Sequence, residues 1–176
     1  MNLFLWGALP YIAFTFLIVG TLVRFFYFER NWTTKSSEFL EKKQLRIANP
    51  LFHFGLLCVI GGHVVGVLIP KTWTAAIGIN DHLYHEGALY MGAVAGIIFI
   101  VGFLLLMKRR FTVPAMKVNT SGLDKWLYLF LTLAIFSGMA GTLLNASGFF
   151  DYRVSIGPWF RSLISFMPDP SLMEGV

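Results

Sequence analysis

Apolar residues run without a single Asp, Glu, Lys or Arg through four stretches of the chain, 3–23, 50–70, 87–107 and 126–146. Each is close to the roughly 20 residues that a helix needs to cross a hydrocarbon core about 30 Å thick. Backbone polar groups find no water in lipid, so each run must satisfy its own hydrogen bonds as a helix. The pattern predicts an all-α integral membrane helical bundle with four transmembrane helices. The first run lacks a preceding basic residue and reaches Arg24 without a small-residue cleavage site, so it reads as a retained helix and not a secretory signal. A shorter pattern follows over 157–167. There Trp159, Leu163 and Phe166 share one face, with Phe160 and Ile164 beside it and Arg161, Ser162 and Ser165 as the polar part, which predicts an interfacial amphipathic helix stopped by Pro168 and Pro170. With no repeat or linker in view, residues 1–176 read as a single membrane domain.

Composition agrees: 56% of residues are hydrophobic and only 13% charged, which excludes a soluble enzyme. The formal charge of +5 would suit a polyanion, but its placement gives another cause. Arg24, Arg30, Lys35, Lys42, Lys43 and Arg46 follow span one, and Lys108, Arg109, Arg110, Lys117 and Lys125 follow span three. The positive-inside rule therefore puts loops one and three in the cytoplasm and the N-terminus outside, with no nucleic acid partner needed. Trp6, Tyr11, Trp32, Trp73, Trp126 and Tyr128 lie near span ends, where amphipathic rings favour the interface. Gly62 and Gly66 form one GxxxG spacing and Gly92 and Gly96 another; the latter reads as helix packing. The single Cys58 rules out an intrachain disulfide and reads as a packing residue.

Two ionisable residues interrupt the spans, both in the second. Intramembrane histidines are costly, so His53 and His63 are functional candidates by default. Ten residues separate them, which in a helix is about 15 Å along the axis and about 80° around it. They cannot share one ion. They can serve two cofactors at two depths, and neutral imidazole is a good axial ligand to haem iron. Gly61, Gly62 and Gly66 leave space beside His63, and Gly55 beside His53. An interhelical hydrogen bond from each ring is the competing reading. His82 and His85, with Asp81 and Glu86, precede span three as a candidate interfacial group or proton-release site; two histidines are too few for a structural zinc site.

The run Asn49-Pro50-Leu51-Phe52-His53-Phe54-Gly55, then Gly62-His63-Val64-Val65-Gly66 and Pro70, resembles the second transmembrane helix of the respiratory nitrate reductase gamma subunit, a membrane cytochrome b. Pro10-Tyr11-Ile12-Ala13, Arg24, Trp32, Ser36-Ser37, the segment Leu104 to Arg110 and Thr120-Ser121-Gly122-Leu123-Asp124 extend the resemblance over nearly the whole chain. It implies two b-type haems, with His53 an axial ligand to the inner iron and His63 to the outer. It also implies oxidation of menaquinol or ubiquinol near the outer face, with His63, Gly62 and, more weakly, His85 as candidates for the quinol pocket. Electrons would pass to a cytoplasmic iron-sulfur beta subunit and a molybdenum alpha subunit, which holds the nitrate site. The implied location is the bacterial or archaeal plasma membrane.

Two other readings stay open: the cytochrome b subunit of another quinol-linked reductase, such as a sulfur-metabolising complex, and a non-redox structural membrane protein. Family members also carry a fifth transmembrane helix with two further histidines. Ser171-Leu172-Met173-Glu174 has the spacing of a capping box that would open a helix. The expectation is a gamma subunit lacking that last helix, with one histidine per iron and therefore incomplete axial ligation of haem in this chain. The basic residues after spans one and three read as membrane anchoring.

Overall fold

The computed structural model describes residues 2–28, 38–149 and 151–174. Arg30, Trp32, Lys35, Ser36 and Ser37 lie outside the described residues. The fold is all-α, and four of its helices are long and apolar enough to cross a membrane. They are α1 (Leu9–Tyr27, preceded by a π-helical stretch, Leu3–Ala8), α2 (Lys43–His63, continued by a π-helical stretch, Val64–Leu68), α4 (Asp81–Thr112) and α6 (Gly122–Ala146). Short helices α3 (Lys71–Ala76), α5 (Pro114–Val118) and α7 (Ile156–Ile164) lie between and after them. The chain is a multi-pass membrane protein.

The long helices overrun the apolar windows. Helix α4 has 32 residues, about 48 Å at 1.5 Å each, against a core of roughly 30 Å. A window that counts apolar residues stops where charge begins, whereas a helix continues into the headgroup region as long as it is capped. Asn80 caps α4 by accepting the Leu83 amide, and Ser121 with Asp124 forms a reciprocal capping box at the start of α6.

The first compact unit joins α1 to the C-terminal elements. The Trp159 indole N–H donates to the Trp6 carbonyl at 2.8 Å, and the two indoles meet edge to face. The Tyr11 hydroxyl donates to the Leu163 carbonyl at 2.8 Å, and its ring stacks with Phe166. Phe166 corrects the expected end of the amphipathic helix. Its φ of 56° is left-handed, and bonds from Phe166 N–H to Leu163 and from Met167 N–H to Ser162 reverse the chain before either proline. The expected capping box at Ser171 does not form. Asp169 is the cap instead, accepting from the Ser171 amide, and the short 3-10 turn Pro170–Met173 ends with Glu174 as its C-cap. The carboxylate comes first in the chain and is a stronger acceptor than the serine hydroxyl. Trp159→Phe keeps most of the packing and loses one hydrogen bond, so the thermal midpoint of the purified protein should fall by the equivalent of about 1 kcal/mol.

The second unit runs from α2 to α6, and its core is the antiparallel pair α2 and α4. A Cβ placed on Gly55 would meet the Phe99 backbone, and one on Gly102 the Phe52 backbone, so these two glycines are where the helices touch. Phe52, Phe99 and Phe103 cluster around the crossing. Gly92 has nothing within 4 Å of a built Cβ, and Gly96 has only Met139 Sδ at 3.8 Å, so the spacing expected to pack span three does not do so. Likewise Cys58 is exposed on α2 and is not a packing residue. Spacing within one helix does not say which face meets a neighbour; the partner's own small residue decides it.

At the Lys43 end of α2 lies a closed ion pair. Arg109 is 3% exposed, its Nε donates to Glu41 Oε2 at 2.8 Å and its Nη2 to the Glu41 carbonyl at 2.6 Å. The other Glu41 oxygen accepts the Gln44 amide in the first turn of α2, whose N-cap is Lys42. Arg110 pairs with Asp124 at 3.0 Å. Two of the basic residues read as anchoring charges are therefore cross-links between segments.

Candidate functional site: two imidazoles on one helix

Helix α2 is continuous through both candidate histidines, since the π-helical stretch begins only at Val64. Their spacing is thus the α-helical one, about 15 Å along the axis. Pro50 lies inside the helix and removes one backbone donor a turn before His53, without ending the helix.

Both imidazoles make the same local bond. His53 Nδ1 lies 2.9 Å from the Asn49 carbonyl and His63 Nδ1 2.8 Å from the Val59 carbonyl, each four residues back in the same helix. A carbonyl oxygen only accepts, so in the neutral rings the proton is on Nδ1 and the lone pair on Nε2. Metal-ligating histidines are commonly held this way, the second nitrogen being oriented by a backbone carbonyl. Both side chains are exposed on the helix, so neither lone pair is sealed inside the protein. Neither ring is tied to a neighbouring helix by these bonds, which is where the interhelical alternative would have put them.

The flanking glycines divide. Built Cβ atoms on Gly61 and Gly62 would meet nothing within 4 Å, so the backbone beside His63 is open. Gly55 is filled by α4 and leaves no space beside His53, and Gly66 is buried. The group beside His53 would have to approach from the open face that the ring itself presents. Among the described residues no three His, Cys, Asp or Glu side chains converge. One neutral nitrogen donor at each of two depths fits an axial position of haem.

His82 and His85 begin α4, where His82 Nε2 lies 3.7 Å from Glu86 and Lys71 joins Asp151 at 2.8 Å and Asp81 at 3.7 Å. Gly55 beside Phe99 and Gly102 beside Phe52 set the antiparallel register, which puts His63 level with about residue 91. His85 is six residues past that level, about 9 Å further along the axis.

The comparisons with known proteins decide the family. The model for the nitrate reductase gamma subunit matches residues 2–176. The chain belongs to the nitrate reductase gamma subunit family. It is 46% identical over 173 residues to the nitrate reductase gamma chain of Bacillus subtilis, covering 98% of this chain and 78% of that one. It is 31% identical over 143 residues to the respiratory nitrate reductase 1 gamma chain of Escherichia coli, with 81% of this chain and 62% of that one covered. A nitrate reductase-like protein NarX of Mycobacterium tuberculosis is 40% identical over 171 residues, which are 96% of this chain and 26% of NarX. The gamma-family chain is thus a membrane subunit of an oxidoreductase complex and associates with other nitrate reductase subunits.

Sequence reasoning found both histidines because charge-capable residues inside apolar runs stand out. It missed the Nδ1 bonds, the Gly55 contact and the Glu41 to Arg109 pair. The last joins residues 68 positions apart, and nothing local announces it; the caps at Asn80 and Ser121 were missed as well, although both residue types favour helix starts.

Proposed function

We propose that this chain is the quinol-oxidising membrane subunit of a respiratory nitrate reductase, in which His53 and His63 would each hold a b-type haem through Nε2. The observation that carries the reading is the matched pair of Nδ1 to carbonyl bonds, which leaves both Nε2 lone pairs on the open face of α2. Bound there, haem supplies one-electron carriers at two depths in the membrane. The chain's own residues hold each ring in one tautomer and one rotation, and Gly61 and Gly62 keep side chains out of the space next to His63.

The basic loops put the N-terminus and the α3 side outside, so menaquinol or ubiquinol is oxidised near His63 and Gly62 at the outer end of α2. His82, His85 and Glu86 stand beyond it, toward the outer water, as acceptors for the protons released. Electrons leave at the His53 end to an iron-sulfur beta subunit and then a molybdenum alpha subunit, where nitrate is reduced. Reduction inside and proton release outside together conserve energy across the plasma membrane.

The test is haem quantification in the purified complex, followed by optical titration with a quinol analogue and then nitrate. Two b-type haems per gamma subunit, reduced by the quinol and reoxidised by nitrate, are expected. A complex that reduces nitrate from quinol without stoichiometric b haem overturns the reading.

A further inference from the structure

The two candidate ligands are mounted differently. A Cβ on Gly102 would lie 2.3 Å from the Phe52 nitrogen, 2.6 Å from its Cα and 2.8 Å from the Leu51 carbonyl carbon. A Cβ on Gly55 would lie 2.5 Å from the Phe99 nitrogen and 2.6 Å from its Cα. These are backbone atoms, which cannot rotate aside as a side chain does. The contacts fall on the residue just before His53 and on the residue two after it. Phe52, whose backbone receives Gly102, sets its own ring edge to face against the His53 imidazole at 5.2 Å and packs tilted against Phe99 at 5.2 Å. The turn bearing His53 is therefore keyed to α4 on both sides of the histidine. Around His63, Gly61 and Gly62 have no neighbour within 4 Å of a built Cβ.

We propose that Gly102, with Gly55, is a positioning residue for the His53 imidazole: its missing side chain lets the α4 backbone set where the Leu51–Phe52 peptide, one residue ahead of His53, lies. The proposal rests on the reading of His53 as an axial ligand. An axial imidazole tunes its iron through its distance, its rotation and the hydrogen bond on its second nitrogen. Adding one methyl group at Gly102 pushes the Leu51 to His53 backbone away from α4 and moves the ring with it. His63 is ten residues further along the helix, with no contact to Gly102, and keeps its setting.

The experiment is a potentiometric titration of the assembled complex, each haem component first assigned by His53→Ala and His63→Ala. Gly102→Ala is expected to shift the midpoint potential of the His53 component, or abolish that component, and leave the His63 component in place. Gly96→Ala, where the new methyl group meets only Met139 Sδ at 3.8 Å, is expected to shift neither. Should Gly102→Ala prevent assembly, Phe52→Leu decides, because it removes the ring against His53 without any backbone clash. A shift confined to the His53 component supports the proposal, and no shift or an equal shift of both components overturns it. An assembled Gly102→Ala complex with both potentials unchanged also overturns it. If His53→Ala costs no haem, the ligand reading itself fails, and the positioning role falls with it.

Discussion

If His53 and His63 hold the two haems as proposed, alanine in place of His53 should remove one b-haem signal from the assembled complex and leave the other, and His63→Ala should do the converse. The expectation follows from what else each site contains. His53 is flanked by Phe52 and Phe54, and His63 by Gly62 and Val64, none of which offers a nitrogen or sulfur donor in its side chain. Each Nε2 is the one side-chain donor that its turn presents, so truncation removes the ligand and is not rescued by a neighbour. The helix itself tolerates the change, since both rings are exposed and each bonds only its own turn. Quinol-driven nitrate reduction should fall to background in either variant. Nitrate reduction driven by an artificial donor that reaches the partner subunits directly should survive, which separates a lost membrane carrier from a lost complex. Retention of both haem signals in His53→Ala would show that α2 is not the ligand helix for the inner iron.

Sequence and structure agree best where a single physical rule dominates. The bilayer demands long apolar helices, and four are present; the rarity of ionisable groups in lipid exposes His53 and His63 without any knowledge of neighbours. Agreement fails where the answer depends on which faces meet. Gly92 and Gly96 have the spacing of a packing motif and meet almost nothing, whereas Gly55 and Gly102, one on each helix, have no such spacing and form the actual crossing. A glycine's role is written in the residue opposite it, and that residue is 44 or 50 positions away. The end of α7 fails differently. Proline rules put the stop at Pro168, but a left-handed Phe166 closes the helix first, held by the stack on Tyr11. Positive φ in a bulky residue is uncommon, so no sequence rule announces it.

Glu41→Gln should destabilise the complex more than removal of any exposed basic charge at the same end, such as Lys117→Gln. Arg109 is 3% exposed and its guanidinium faces the Glu41 carboxylate and carbonyl. Neutralising Glu41 takes the carboxylate charge away from a covered guanidinium, the costly way to weaken such a pair. Arg109→Met replaces the cation with an apolar chain of similar length, so the double variant should lose less than the two single losses combined. The pH dependence has a definite sign. The Gln44 amide, first, and Arg109 hold the Glu41 carboxyl below its ordinary value of 4.5, against the opposing effect of its burial. An acid depressed in the folded state contributes stability that is fully present above its unfolded value and is lost as pH falls through the folded value. The gap in thermal midpoint between wild type and Glu41→Gln should therefore be constant near neutrality and close as the pH is taken below 4.5. A gap that stays open in acid would mean that the carboxylate charge is not what Arg109 responds to.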